Sequence, residues 1–166
     1  MSRGFVKEDD QEEIPIVPPR AHLPEGVTNY VTPMGMDELL TEKQVLLDEK
    51  NELSIKDENE RRIALNHIDA KLNLLNSRIS SAKVVDLKTH PPHEIRFGAS
   101  VTLKKESTKQ IEKYQIVGVD EADISKGKIS FISPLAKMLI HKKVGDRAIL
   151  ELPQKQRVYD VLEIEY

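Results

Sequence analysis

Three acidic side chains lie close together in the middle of a long helix-forming stretch, namely Asp57, Glu58 and Glu60. Carboxylates are hard oxygen ligands for Mg²⁺, so this group is a candidate for assisting metal-dependent chemistry. The alternative is that the acids cap a helix and complement the positive end of its dipole. The residues alone leave both interpretations open.

A second group is cationic and consists of Arg61, Arg62, Lys71 and Arg78. Basic side chains along one face of a helix can guide RNA or contact an acidic protein surface. A charged face is equally expected on an exposed helix that has no partner. This group is therefore a candidate RNA or protein interface with an equally good structural explanation.

The rest of the sequence offers few further sites. Three acids in one loop, Asp120, Glu121 and Asp123, are candidate cation ligands, although such acids are more often only solvated. The sequence has no Cys, nucleophile motif or phosphate-binding glycine loop. We therefore expect no intrinsic metal or cofactor. The absence of Cys, a signal peptide and an apolar spanning segment favours a cytoplasmic location, and the net charge of −3 argues against duplex wrapping.

Two amphipathic helices are expected to position the first two groups. In the second half of the stretch, apolar residues are separated by alternating gaps of three and four, as in a coiled-coil seam. They are Leu65, Ile68, Leu72, Leu75, Ile79 and Ala82. Upstream, Leu39, Leu46 and Leu53 recur every seven residues. An antiparallel hairpin would bury the two seams against each other, with Leu46 facing Leu72 and the chain reversing near residues 56–60.

Polar residues mark the ends of these helices. Thr32 followed by Pro33 predicts the start of the first helix, as N-cap and first-turn residue. Two starts are possible for the second helix, Ser54 with Asp57 or Asp57 with Glu60, because both pairs have the spacing of a capping box.

The chain divides into four segments by composition. Residues 1–31 are acidic and rich in Pro, and we expect a flexible leader. The helical hairpin occupies 32–86, and a linker with two adjacent prolines occupies 87–94. In 95–166, alternating apolar residues, the first from Ile95 to Leu103, predict four or five mostly antiparallel strands and one helix. The expected fold class is α+β.

Six segments together point to one family. They are VTPMG at 31–35, AKVVD at 82–86, FGASVT at 97–102, YQIVGVDEAD at 114–123, ISFISPLA at 129–136 and VGD at 144–146. In combination they resemble the bacterial Gre transcript-cleavage factors, GreA and GreB, over about residues 31–166.

The resemblance implies an antiparallel coiled coil joined to a C-terminal domain with an FKBP-like fold. In such factors the C-terminal domain docks at the rim of the RNA polymerase secondary channel, here through Ile132, Ser133, Pro134 and Ala136. The coiled coil enters the channel, where acids at its tip help the polymerase hold a Mg²⁺ ion and cut the 3′ end of backtracked RNA. The resemblance thus implies a monomeric factor that stimulates the polymerase and is not itself an enzyme.

The chain differs from the family at the tip of the hairpin. Its arms are shorter by roughly two helical turns each, about 10 Å. The family tip reads Asp-x-x-Glu-Asn. Aligning its Glu-Asn with Glu58-Asn59 puts Ile55 in place of the Asp, whereas aligning the family's Lys-Glu with Lys56-Asp57 puts Ser54 there. Two further functions therefore stay open: a polymerase-binding regulator of the Rnk type that does not stimulate cleavage, and an FKBP-like interaction module.

Overall fold

The computed structural model describes residues 15–166. The first 14 residues of the predicted leader, including its acidic cluster, lie outside the described residues. The described part contains three α-helices and seven strands, which confirms the predicted α+β class. None of the helices in this part combines the length and the apolar composition needed to cross a bilayer.

Two long helices follow the first strand. Helix α1 spans Pro33–Asn51 and helix α2 spans Glu58–Ser81. The Thr32 side chain accepts a hydrogen bond from the backbone N–H of Gly35 at 2.9 Å, and Pro33 occupies the first turn. Both features confirm the predicted start of the first helix, since the cap satisfies an N–H that has no partner within the helix.

The two helices run antiparallel and share a core. Near the end of α1, Lys50 Nζ contacts Asp69 Oδ1 at 2.6 Å, whereas Asn29, which precedes α1, contacts Ser81 at the end of α2. The predicted register pairs position 50 with position 68, one residue from the observed contact. The apolar residues buried between the helices are Leu39, Leu46, Ile68, Leu72 and Leu75.

The reversal lies earlier than the sequence indicated. Residues 52–57 connect the helices, and Asp57 caps α2 by accepting a hydrogen bond from the Glu60 N–H at 2.9 Å, so the second of the two possible helix starts is correct. The prediction placed the reversal at 56–60 because it assumed two equal helical arms. In the structure the two arms are unequal, because α1 ends at Asn51 and α2 begins at Glu58 and is five residues longer.

A small parallel sheet closes the base of the hairpin. Strand β1, Asn29–Val31, pairs with strand β2, Ala82–Val84, which directly follows α2. The predicted leader extended to residue 31, so regular structure begins three residues before the predicted boundary. The pairing satisfies backbone groups at both ends of the hairpin and holds these ends together.

The second half of the chain forms a five-stranded sheet with the order β5-β4-β3-β7-β6. Its strands are β3 at Ser100–Lys105, β4 at Ile111–Val117, β5 at Lys128–Ser130, β6 at Arg147–Leu152 and β7 at Lys155–Glu165. Neighbouring strands are antiparallel except β4 and β5, which are parallel. Helix α3, Pro134–Leu139, packs against β5 and β6. The mostly antiparallel sheet with one helix was predicted.

The first strand of this sheet is shorter than predicted. The alternating pattern indicated a strand from Ile95 to Leu103, whereas β3 begins at Ser100. The reason is Gly98, which has φ +88° and forms a turn. The Leu87 side chain fills the space beside it, and a Cβ on Gly98 would come within 2.2 Å of Leu87. Ile95 is nevertheless fully buried in the sheet core.

Candidate functional site

The acidic tip, defined as Asp57, Glu58 and Glu60, lies where α2 begins, and all three residues are exposed. Asp57 accepts the hydrogen bond from the Glu60 N–H, and Glu58 and Glu60 occupy the first turn, where the helix dipole favours negative charge. Within residues 15–166, no side chain bonds the carboxylates of Glu58 or Glu60. The capping role is therefore present, and two carboxylates still point to solvent.

The acidic tip supplies only part of a metal-binding site. In residues 15–166 no group of three or more Asp, Glu or His side chains is arranged to bind one. Mg²⁺ requires near-octahedral coordination, which two exposed carboxylates do not supply. What this arrangement can do chemically is donate one or two oxygen ligands, from Glu58 and Glu60, to an ion held mainly by another macromolecule.

The four basic residues of α2 do not form one face. Arg61 and Arg62 are exposed beside the acidic tip, on sides of the helix about 100° apart. Lys71 and Arg78 lie on one side of α2 nearer the sheet, because they are seven residues, about two turns, apart. Arg78 Nε lies 3.7 Å from Asp120 Oδ2, so this residue is engaged within the chain. Of these four residues, Arg61 and Arg62 are the exposed cations at the far end of the hairpin.

The turn before α3 contains the residues predicted to dock on a partner. The Ser133 hydroxyl caps α3 by accepting a hydrogen bond from the Ala136 N–H at 3.3 Å. Pro134 is exposed and Ile132 is half-buried, whereas Ala136 is fully buried in the sheet core. A partner can therefore contact Ile132, Ser133 and Pro134, while Ala136 supports the turn from inside.

The three acids of the loop after β4 serve three different purposes. Asp123 accepts hydrogen bonds from the Ser125 hydroxyl and N–H, at 2.6 and 3.0 Å, and the first of these lowers the pKa of Asp123 most strongly. Asp120 Oδ1 accepts from Arg20 Nε at 2.9 Å. Glu121 is buried, with only 2% of its side chain exposed. Because the three carboxylates have separate partners, they do not form the candidate cation site.

Glu121 joins the first helix to the sheet. The Thr32 hydroxyl donates to Glu121 Oε2 at 2.6 Å, and Lys128 Nζ lies 3.3 Å from Oε1. A Cβ on Gly35 would come within 2.6 Å of Oε2, so glycine lets the carboxylate approach the first turn of α1. Two of the motifs quoted above, at 31–35 and 114–123, therefore meet at this buried site. Sequence reasoning missed this role of Glu121, and the glycine in a helical first turn was its only signal.

Three aromatic rings form the second part of this helix–sheet joint. The ring centroids of Tyr30, Phe97 and Phe131 lie 5.6 to 6.0 Å apart, and both Phe131 pairs are edge-to-face, a favourable geometry. Beside them, a Cβ on Gly118 would lie 2.6 Å from the Tyr30 carbonyl oxygen. The strand β1 thus packs directly against the sheet, and the base of the hairpin is fixed by both apolar and polar contacts.

Comparison with known proteins shows that the sheet half of the chain matches a protein family. Residues 90–166 match the family described as "Transcription elongation factor, GreA/GreB, C-term". Transcription elongation factor GreA of Francisella philomiragia is 41% identical over 100 residues, covering 60% of this chain and 62% of that protein. GreA of Neorickettsia sennetsu is 36% identical over 107 residues, covering 64% of this chain and 67% of that protein. The chain thus spans less than two thirds of the first of these relatives.

Two solved structures align over more than four fifths of this chain. Gfh1 of Thermus thermophilus aligns with a TM-score of 0.40 at 21% identity, over 84% of this chain and 100% of that chain. A GreA/GreB factor from Nitrosomonas europaea aligns with a TM-score of 0.42 at 20% identity, over 82% and 98% of the two chains.

Proposed function

Because this chain belongs to the GreA/GreB family of transcription elongation factors, we propose that it binds RNA polymerase and regulates elongation. The observation that carries the proposal is the match over residues 90–166, which covers the whole five-stranded sheet and the turn before α3. The proposal further includes a coiled-coil packing of α1 and α2, an FKBP-like fold of the sheet half, and action in the cytoplasm as a monomer.

The docking surface in this proposal is the turn before α3, at the rim of the polymerase secondary channel. The exposed ring of Pro134 and the half-buried side chain of Ile132 offer an apolar contact. The Ser133 cap fixes the shape of this turn. A turn that is already rigid loses little conformational entropy on binding, which favours affinity.

Binding to purified core polymerase tests this part of the proposal. We expect Ile132→Asp to weaken binding at least about tenfold, since it places a charge in an apolar contact. A matched control is Ile124→Asp, the same change at an isoleucine that is 83% exposed and lies outside the turn. No binding by the unmodified chain, or equal weakening by both variants, contradicts the proposed surface.

The acidic tip is proposed to act in the channel. Glu58 and Glu60 would add oxygen ligands beside the catalytic Mg²⁺ of the polymerase and thereby promote cleavage of backtracked RNA. The polymerase supplies the catalytic chemistry, so the chain itself is not an enzyme in this proposal. Arg61 and Arg62 lie next to these acids, where they are placed to contact the RNA or the channel wall.

RNA release from a stalled, backtracked complex tests the role of the tip. We expect the unmodified chain to stimulate release and the triple change of Asp57, Glu58 and Glu60 to Ala to abolish the stimulation. The matched control removes three exposed acids elsewhere, Asp37, Glu49 and Glu163, and should keep full stimulation. No stimulation by the unmodified chain contradicts the cleavage role.

A second candidate function is polymerase binding without cleavage, as in the Rnk type of regulator. The observation that favours it is that Asp57 is engaged as the cap of α2, so the tip presents fewer available carboxylates than its sequence suggests. Binding to polymerase with no stimulated release identifies this function. Failure to bind polymerase at all identifies the remaining alternative, an interaction module with another partner.

A further inference from the structure

Arg20 links three parts of the chain that are far apart in sequence. Its guanidinium donates to Glu42 of α1 through two hydrogen bonds, Nη1 to Oε1 at 2.7 Å and Nη2 to Oε2 at 3.0 Å. The same group donates from Nε to Asp120 Oδ1 at 2.9 Å, in the loop after β4. Arg20 lies before β1 and outside the matched residues 90–166, so the family match does not account for it.

Helix α2 contacts the same region through Arg78. Its Nη2 donates to the backbone carbonyl oxygen of Ala21, and its Nε lies 3.7 Å from Asp120 Oδ2. Arg20 and Ala21 are therefore bonded to α1, to α2 and to the sheet half of the chain. We refer to residues 18–21 as the strap.

Burial makes the contact between Arg20 and Asp120 less screened than an ordinary surface ion pair, whereas Glu42, with 46% of its side chain exposed, makes a more surface-like contact. Only 18% of the Arg20 side chain and 7% of the Asp120 side chain are exposed. Exposed pairs contribute about 0–1 kcal/mol because water screens them, and screening falls as the pair is buried. The hydrogen bond with Glu42 is the main reason that the pKa of Arg20 is raised, so Arg20 stays charged. Within residues 15–166, removing the Arg20 side chain would leave Asp120 with only the longer contact to Arg78.

Apolar packing contributes little at this place. The strap lines a cavity of about 420 Å³ together with residues of α1, α2 and the loop after β4. Its lining includes Leu46, Lys71, Leu74 and Val119. Because Pro18, Pro19 and Ala21 are exposed, the strap is attached mainly by its hydrogen bonds and ion pairs, and a change at Arg20 should release it.

The position of Glu42 explains what this attachment does. The contact between Thr32 and Glu121 and the packing of Tyr30 against the sheet hold the beginning of α1 in place, and Lys128 Nζ lies 3.9 Å from Glu38 Oε1. An attachment farther along α1 constrains the direction of the helix more tightly. Glu42 lies ten residues after Thr32, which is about 15 Å along the helix axis. An attachment at that distance fixes the direction as well as the position.

We propose that Arg20 is a positioning residue, which fixes the direction of the helical hairpin relative to the five-stranded sheet. The consequence for polymerase rests on the proposed function: the sheet docks on the rim and the strap aims the acidic tip into the channel. The geometric role stands apart from that function and is tested without polymerase.

The distance between the tip and the sheet is the direct readout. The sequence has no Cys, so Asn59→Cys in α2 and Ser107→Cys in the turn after β3 give two unique sites for spin labels. Pulsed electron paramagnetic resonance then measures the distribution of distances between the two spin labels in the full chain. We expect a single narrow distribution with Arg20 present, and a distribution at least about twice as broad with Arg20→Ala.

Three further variants make the result specific. Arg20→Lys keeps the charge but cannot bond Glu42 and Asp120 in a fork, so its distribution should be intermediate. Asp120→Asn should broaden the distribution without altering the strap itself, which covers the case that Arg20→Ala lowers overall stability. Lys56→Ala removes an exposed cation near the tip and should leave the distance distribution unchanged.

The outcomes separate the two proposals. Equal distributions for the unmodified chain, Arg20→Ala and Asp120→Asn overturn the positioning role, whatever the polymerase assays show. A broadened distribution in a chain that does not bind polymerase supports the positioning role and contradicts the proposed function. If both hold, Arg20→Ala should lower stimulated RNA release severalfold while the sheet alone still contacts the rim.

Discussion

The hydroxyl group of Thr32 serves two elements at once: it caps α1 by accepting a hydrogen bond from the Gly35 N–H and donates its own proton to Glu121 Oε2 at 2.6 Å. One side chain thus satisfies the first turn of the helix and a buried carboxylate of the sheet half. Because both bonds use the same oxygen, the beginning of α1 cannot move away from the sheet without losing its cap.

Replacing Thr32 by Val should therefore remove two interactions. We expect the free energy of unfolding to fall by about 2–4 kcal/mol, about 1 from the cap and the rest from the buried carboxylate that loses its donor. Urea denaturation followed by circular dichroism measures this change. Thr32→Ser retains the hydroxyl and is the matched control. Equal stability of the Val and Ser variants would show that the hydroxyl contributes nothing.

Replacing Gly35 by Ala should lower the stability of the protein, which is the opposite of the usual effect of this change in a helix. Ala normally stabilises a helix relative to Gly by about 1 kcal/mol. Here a Cβ would come within 2.6 Å of Glu121 Oε2, whose two hydrogen bonds hold it in place, so Gly35→Ala should lower the unfolding temperature. In a chain that also carries Glu121→Ala the same change should become neutral or stabilising. A stabilising effect of Gly35→Ala alone would contradict the close approach.

The helical half was the more predictable part of this chain. Apolar residues at heptad spacing state directly which side chains meet, and the contact between Lys50 and Asp69 lies within one residue of the register drawn from Leu46 and Leu72. The reversal was misplaced because an extended connection has no periodicity from which to count. A capping residue is a local signal, and Asp57 with Glu60 was one of the two starts that the sequence left open for the second helix.

The helix–sheet joint was not predictable in the same way. Strands β1 and β2 have three residues each and pair across the whole hairpin, which leaves no alternating pattern to detect. The contacts of Arg20 and Glu121 join residues about 90 to 100 positions apart, and a charged side chain carries no sign in the sequence of the partner it will meet. Gly35 and Gly118 are the local signals of close approach at this joint.

Alkaline pH should destabilise the sheet through Tyr114. Burial, followed by the hydrogen bond to Glu112 at 2.8 Å, raises the pKa of Tyr114 from 10.0 to about 12. The folded state therefore holds this proton more tightly than the unfolded state, and stability falls as the pH rises from about 10 to about 12. Chemical denaturation across this window should give a shallower fall for Tyr114→Phe. Identical slopes for the two proteins would contradict the raised pKa.

Asp57 allows capping and charge to be separated at the tip. Asn caps a helix about as well as Asp, whereas Ala costs about 1 kcal/mol, so only Asp57→Ala should speed hydrogen exchange of the Glu60 amide, by roughly five- to tenfold. Nuclear magnetic resonance measures this exchange at a single residue. Asp57→Asn keeps the local geometry and removes the charge, so any loss of stimulated RNA release in this variant reflects the carboxylate itself.

If the Asp57→Asn and Asp57→Ala variants exchange the Glu60 amide at the same rate, the hydrogen bond from Glu60 to Asp57 does not protect the first turn of α2. If release is retained in the Asn variant and lost when Glu58 and Glu60 are replaced, the chemistry belongs to those two acids and Asp57 serves only to fix the helix that carries them.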